Sequence, residues 1–202
     1  MTGKKFFIVG MRRSGTSVLR EAVMRFAGDI QNIEFETHVL RYALQCMEIG
    51  RYKNLKWAKD EIERFENANI GSDKWYGIKF ALNPGVYDME WVYLHHRFPE
   101  ARFIFIIRDK EQTFRSYEKL DKNIKRGYAP WDCYSPFFDY MTWQFMDYAN
   151  RYPEKACIID YKNLVIDADS ELKKICNLLG INQVGTFNAE MKIPENWGNK
   201  ND

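Results

Sequence analysis

Arg12-Arg13-Ser14-Gly15-Thr16-Ser17 gathers guanidinium groups, hydroxyls and a glycine directly after the apolar run Phe6-Phe7-Ile8-Val9-Gly10. That combination suits a phosphate or another tetrahedral anion. Gly10 and Gly15 let the backbone turn tightly and aim N–H groups inward, and a helix opening near Gly15 adds the positive end of its dipole. The hydroxyls of Ser14, Thr16 and Ser17 are further donors, and Arg13 is a fork-shaped cation able to grip two oxygens at once. The glycines have the spacing of a nucleoside-triphosphate loop, G-x-x-x-x-G-K-[ST], but Thr16 stands where that loop needs its lysine.

A second cluster follows another apolar run. Arg102-Phe103-Ile104-Phe105-Ile106-Ile107 ends in Arg108-Asp109-Lys110, with Ser116 eight positions after Arg108. Ligands of open α/β sheets collect at the carboxyl ends of strands, so Arg108 opens onto the same edge as the first loop. With both motifs in this order, the sequence resembles the sulfotransferase family. The family's 5′-phosphosulfate loop commonly reads [K/R]-S-G-T-[T/S], here Arg13 to Ser17. Its later strand ends in an arginine with a serine eight residues on, here Arg108 and Ser116. The resemblance implies 3′-phosphoadenosine 5′-phosphosulfate (PAPS) as donor co-substrate, with its phosphosulfate on Arg12 to Ser17 and its 3′-phosphate on Arg108 and Ser116. It implies in-line transfer to a small-molecule, glycan or peptide acceptor, with no metal required.

An acceptor loses a proton as it attacks sulfur, and Asn32-Ile33-Glu34-Phe35-Glu36-Thr37-His38-Val39 places acids at the end of a second strand. Glu36-Thr37-His38-Val39 is similar to the E-T-R-V context of the base in tyrosylprotein sulfotransferases, with His in place of Arg. Glu36 is therefore the first candidate base, with Glu34 and His38 as alternatives. A carboxylate base near neutral pH needs partial burial to raise its pKa. Lys79 closes the third apolar run and resembles the lysine of the family's K-x-P turn, although the proline here arrives only at Pro84. By that resemblance, Lys79 and Arg13 neutralise charge developing on the bridging oxygen. The C-terminal R-K-G element that completes the 3′-phosphate site of cytosolic sulfotransferases is absent, leaving Lys192 or Lys200 as candidate substitutes.

These residues need a sheet to position them. Apolar runs predict strands near 5–9, 31–35, 76–80, 102–107 and 156–160. Helices are expected near 15–27, 37–49, 55–67, 86–97, 110–120, 136–151 and 168–179. Asp167 or Asp169 caps the last helix and Gly180 stops it. Strand-helix alternation with short connections predicts an α/β, three-layer, P-loop-like fold with about five parallel strands. Ile158 to Val165, then Leu178-Leu179-Gly180-Ile181, resemble the family's C-terminal strand, Y-E-x-L turn and helix end.

A length of 202 residues suits a single domain, with a polar tail from about residue 182. A net charge of +2 does not predict nucleic-acid binding. The cysteines, Cys46, Cys133, Cys157 and Cys176, form no C-x-x-C pair and are expected as buried free thiols. With neither a signal peptide nor a run of ~20 apolar residues, a cytoplasmic protein without membrane insertion is expected. His95-His96 point about 100° apart on a helix and are read as structural. Trp131, Tyr134, Phe137, Phe138, Tyr140 and Trp143 are read as core and lid packing, with part of the group a candidate lining for the acceptor pocket. The alternative functions are a P-loop small-molecule kinase, with Asp109 mistaken for a metal-holding acid, and a non-catalytic nucleotide-binding module.

Overall fold

The apolar runs become the strands of one parallel sheet, whose three inner strands, Lys5–Met11, Trp75–Leu82 and Arg102–Ile107, are largely buried segments covered on both faces. The computed structural model describes residues 3–35, 56–82, 90–124 and 130–185. In chain order these form β1 (Lys5–Met11), α1 (Thr16–Phe26), β2 (Ile30–Phe35), α2 (Lys56–Asn67), β3 (Trp75–Leu82) and α3 (Glu90–Arg97). There follow β4 (Arg102–Ile107), α4 (Lys110–Ile124), α5 (Trp131–Arg151), β5 (Ala156–Asp160), α6 (Tyr161–Ile166) and α7 (Ala168–Leu179). The strand order is β2-β3-β1-β4-β5, and every pairing is parallel.

Alternation along β1 divides the core into two layers. Phe7, Val9 and Met11 pack on one face with Phe65 of α2 and Phe145 of α5. Phe6 and Ile8 pack on the other with Leu19 and Val23 of α1 and Leu172 and Ile175 of α7. Since β1 is central, its end is level with those of its neighbours: Gly10 lies opposite Ala81 of β3 and Ile106 of β4. The loop after β1 therefore opens between two strand ends, where the connection from β3 to β4 crosses over.

Several boundaries differ from those expected. α5 begins at Trp131, not at 136, with Pro130 as its cap residue and Pro136 inside the helix. The Y-E-x-L-like segment is a short helix, α6, capped by Asp160, whose Oδ1 accepts a hydrogen bond from the Asn163 N–H at 2.9 Å. Lys79 does not close β3, which runs on to Leu82. Asp167, not Asp169, caps α7 by accepting from the Ser170 N–H, and Gly180 ends it at φ 64°. The tail expected from 182 opens with an antiparallel bridge between Gln183 and Ala27. The expected helix at 37–49 and residues 86–89 of the expected 86–97 helix lie outside the described residues.

Candidate active site

Two left-handed residues, Arg13 at φ 72° and Gly15 at φ 102°, fold the loop back on itself between β1 and α1. Such a turn in a non-glycine residue is uncommon and costs energy, which argues for a role at Arg13. Two backbone hydrogen bonds pin the loop. The Arg12 N–H donates to the Leu82 carbonyl at 2.8 Å, and the Ser14 N–H donates to the Met11 carbonyl at 2.9 Å. Gly15 is the cap residue of α1, and no side chain caps that helix end. The first-turn N–H groups and the dipole thus face the loop, an arrangement that favours an anion.

The hydroxyls expected to line this cradle are not equivalent. Ser14 is 1 % exposed, and among the described residues its Oγ has no hydrogen-bond partner. A Cβ on Gly10 would lie 2.5 Å from that oxygen and 2.7 Å from Ile106 Cγ2, so Ser14 is tucked against the sheet. Thr16 is also buried. Ser17 is exposed, and its Oγ accepts from Lys79 Nζ at 3.2 Å, so Lys79 reaches the first turn of α1 from within β3.

The two sequence motifs meet. Arg13 Nε donates to Ser116 Oγ at 3.0 Å, and Arg108 Nη1 donates to the Arg13 carbonyl at 3.3 Å. Arg12 lies over the Tyr117 ring, 5.9 Å from its centroid, so adjacent residues of α4 receive adjacent arginines. Asp109 is occupied as the cap of α4: its Oδ1 accepts from the Gln112 N–H at 2.8 Å, and its carbonyl from the Thr113 hydroxyl at 2.7 Å. Lys110 turns to α5, donating to Ser135 Oγ and to both carboxylate oxygens of Asp139.

The candidate bases separate less simply. Glu36 and His38 lie outside the described residues, as do Lys192, Lys200 and Cys46. Glu34 is described, and it is engaged. Arg64 Nη1 and Nη2 donate to its two oxygens at 2.9 and 3.0 Å, and the Tyr76 hydroxyl donates to Oε1. The Arg64 hydrogen bonds, above all, hold the Glu34 carboxyl below its ordinary range, against the desolvation that would raise it. A carboxylate so stabilised in its charged form is a poor proton acceptor.

Other candidate groups sort by position. His95 Nδ1 is hydrogen-bonded to the Tyr148 hydroxyl at 2.8 Å, in an aromatic cluster where β4 begins. Desolvation, then His96 and Lys155, holds its pKa low. Tyr134 and Phe138 are core residues, whereas Trp131, Tyr140 and Trp143 are exposed. Cys176 is buried and burial pushes the Cys157 thiol up to about 12, but Cys133 is exposed, contrary to expectation. Tyr161, quoted in the sequence only as part of a resemblance, lies against the site: the Arg108 guanidinium is 4.5 Å from its ring centroid.

Residues 86–184 match the model of the sulfotransferase family. Over that stretch, just under half of its length, the chain is similar to the sulfotransferase family. Solved sulfotransferases share its fold. The sulfotransferase domain of the Synechococcus PCC 7002 olefin synthase superposes with a TM-score of 0.64 at 17 % identity, over 89 % of this chain and 74 % of that one. A sulfotransferase from Alicyclobacillus acidocaldarius gives 0.62 at 15 % identity, over 97 % and 88 %. The mouse sulfotransferase SULT7A1, solved with PAP, gives 0.58 at 20 % identity, over 93 % and 61 %. No curated protein matches the chain by sequence. Among the described residues no helix is long and apolar enough to cross a membrane.

Proposed function

We propose that this protein is a sulfotransferase that moves the sulfuryl group of PAPS to a hydroxyl or amine acceptor by in-line displacement. The observation that carries the reading is the junction of the two motifs through Arg13, Ser116 and Arg108. A donor with anionic groups at both its 5′ and 3′ positions finds a cationic partner for each. The PAP bound to the mouse relative supports the same donor class. In this reading the loop N–H groups, Arg13 and Ser17 hold the phosphosulfate, with Arg12 beside them, and Arg108 and Ser116 hold the 3′-phosphate. Lys79 sits next to Ser17 to stabilise charge that develops as the sulfur–oxygen bond breaks. Glu36 is the proposed base. The engagement of Glu34 by Arg64 and Tyr76 favours it over that neighbour.

The acceptor is a small molecule, a glycan or a peptide, and the protein is a single cytoplasmic domain that engages neither nucleic acid nor a bilayer. The small net charge of +2 supports the former exclusion. Calorimetric titration of adenosine 3′,5′-bisphosphate against ATP tests the donor. The bisphosphate is expected to bind and ATP poorly; tighter binding of magnesium ATP would return the chain to the kinase reading. With a verified acceptor, Glu36→Gln is expected to keep donor affinity and lower turnover by roughly 10²–10⁴-fold. Near wild-type turnover would displace the base to His38 or beyond.

A further inference from the structure

Tyr161 is the first residue of α6, and the local sequence fixes it from both sides. Asp160 before it caps the helix, and the Asp160 N–H donates to Glu171 Oε2 at 3.2 Å. Glu171, 2 % exposed, is held in turn by Lys174 at 2.7 Å. The ring thus set in place touches both anion-binding elements. The Arg108 guanidinium lies 4.5 Å from its centroid, and a Cβ on Gly15 would be 2.3 Å from Tyr161 Cδ2 and 2.5 Å from Cε2. The side of Gly15 that a side chain would fill is therefore occupied by the Tyr161 ring.

Arg108 is otherwise lightly tied. Among the described residues its Nη1 donates to a neutral acceptor, the Arg13 carbonyl, and its buried Nε has no hydrogen-bond partner. A guanidinium on a flexible stem needs something to fix its plane if it is to meet a phosphate with two parallel N–H groups. A ring face does so without neutralising the cation. We infer that Tyr161 is a positioning residue: its ring, not its hydroxyl, orients Arg108 for the 3′-phosphate of the donor and couples that arginine to the loop at Gly15. The role rests on the proposed assignment of Arg108 to the 3′-phosphate.

The test compares two probes by calorimetry, adenosine 3′,5′-bisphosphate and adenosine 5′-monophosphate, which differ only in the 3′-phosphate. On the wild type and on Tyr161→Phe the preference for the bisphosphate is expected to agree within about twofold. On Tyr161→Leu that preference is expected to shrink by about three- to thirtyfold, the size of a partly desolvated cation–π contact. Should Tyr161→Leu fail to fold, as judged by its melting transition, Tyr161→Met takes its place with the same expectation. Equal loss of preference in Tyr161→Phe would assign the effect to the hydroxyl and overturn the inference. An unchanged preference in the leucine or methionine variant would overturn it too, reducing Tyr161 to packing. Arg108→Ala in the wild-type background separates this from the underlying assignment. If that variant keeps the full preference, the 3′-phosphate is not on Arg108, and the site assignment falls together with the role of Tyr161.

Discussion

Arg64 and Arg108 both lie beside the sheet, and their surroundings differ in one respect that decides what each does. Arg64 is closed in by acids: Glu34 takes both terminal nitrogens, and Glu61 accepts from Nε and Nη2 at 3.0 and 2.9 Å. Arg108 has neutral partners, a carbonyl and a phenol ring. An arginine already paired with carboxylates has spent its attraction for anions on the fold, whereas one fixed by neutral groups keeps its charge for a ligand. Position alone would not have told them apart.

The sharpest way to break the contrast is at Gly15, where Arg108's support meets the loop. Alanine there incurs a left-handed penalty of ~1–2 kcal/mol, on top of contact with Tyr161. Gly15→Ala is expected to lower affinity for adenosine 3′,5′-bisphosphate on the order of a hundredfold or more by calorimetry, because the cradle must leave its shape. Arg108→Ala comes next, with a loss on the order of tenfold to a hundredfold, the worth of a charge-assisted hydrogen bond, and a melting temperature close to wild type. Arg64→Ala should reverse that pattern. It is expected to cost about 1–2 kcal/mol in a denaturant titration, given that Glu34 is left part-buried, and to leave bisphosphate affinity unaltered. If Arg64→Ala weakened nucleotide binding as much as Arg108→Ala, the contrast would be lost.

The smallest effects are read against pH. Because Glu34's pKa is depressed in the folded state, its contribution is complete above the unfolded value of about 4.3. It fades as pH falls through the lower folded value, and Arg64→Ala should flatten that acid limb of stability. His95 is also held low, so the unfolded chain binds its proton first. Stability should therefore decline as pH drops below about 6.5. His95→Gln is expected to remove that part of the slope in urea midpoints taken between pH 7.5 and 5.5.

What could be read from the sequence follows how local each cause is. β4 was legible to the residue because Arg102–Ile107 is one unbroken apolar run between charged ends. The start of α5 was not, since Pro136 looks like a helix opening and nothing local shows Trp131 and Tyr134 packing on Phe114 of α4. α6 was hidden by its brevity and its Val165-Ile166 end, which favour a strand or turn. The meeting of Arg13 with Ser116 was legible in outline, as two motifs at one sheet edge. The burial of Ser14 was not, because it depends on Gly10 and Ile106 lying side by side in adjacent strands. Glu34's partner comes from thirty residues away on another element, beyond what spacing reveals.

The central place of β1 has a consequence for how the chain is made. Its strand, Lys5–Met11, leaves the ribosome well before its two neighbours, Trp75–Leu82 and Arg102–Ile107. At roughly 5–20 residues per second, the nascent strand waits several seconds before either edge can be matched. During that interval the loop that follows β1 hangs from an unpaired, adhesive segment. Newly synthesised chains should therefore lean on a holding chaperone most heavily before residue 107 emerges.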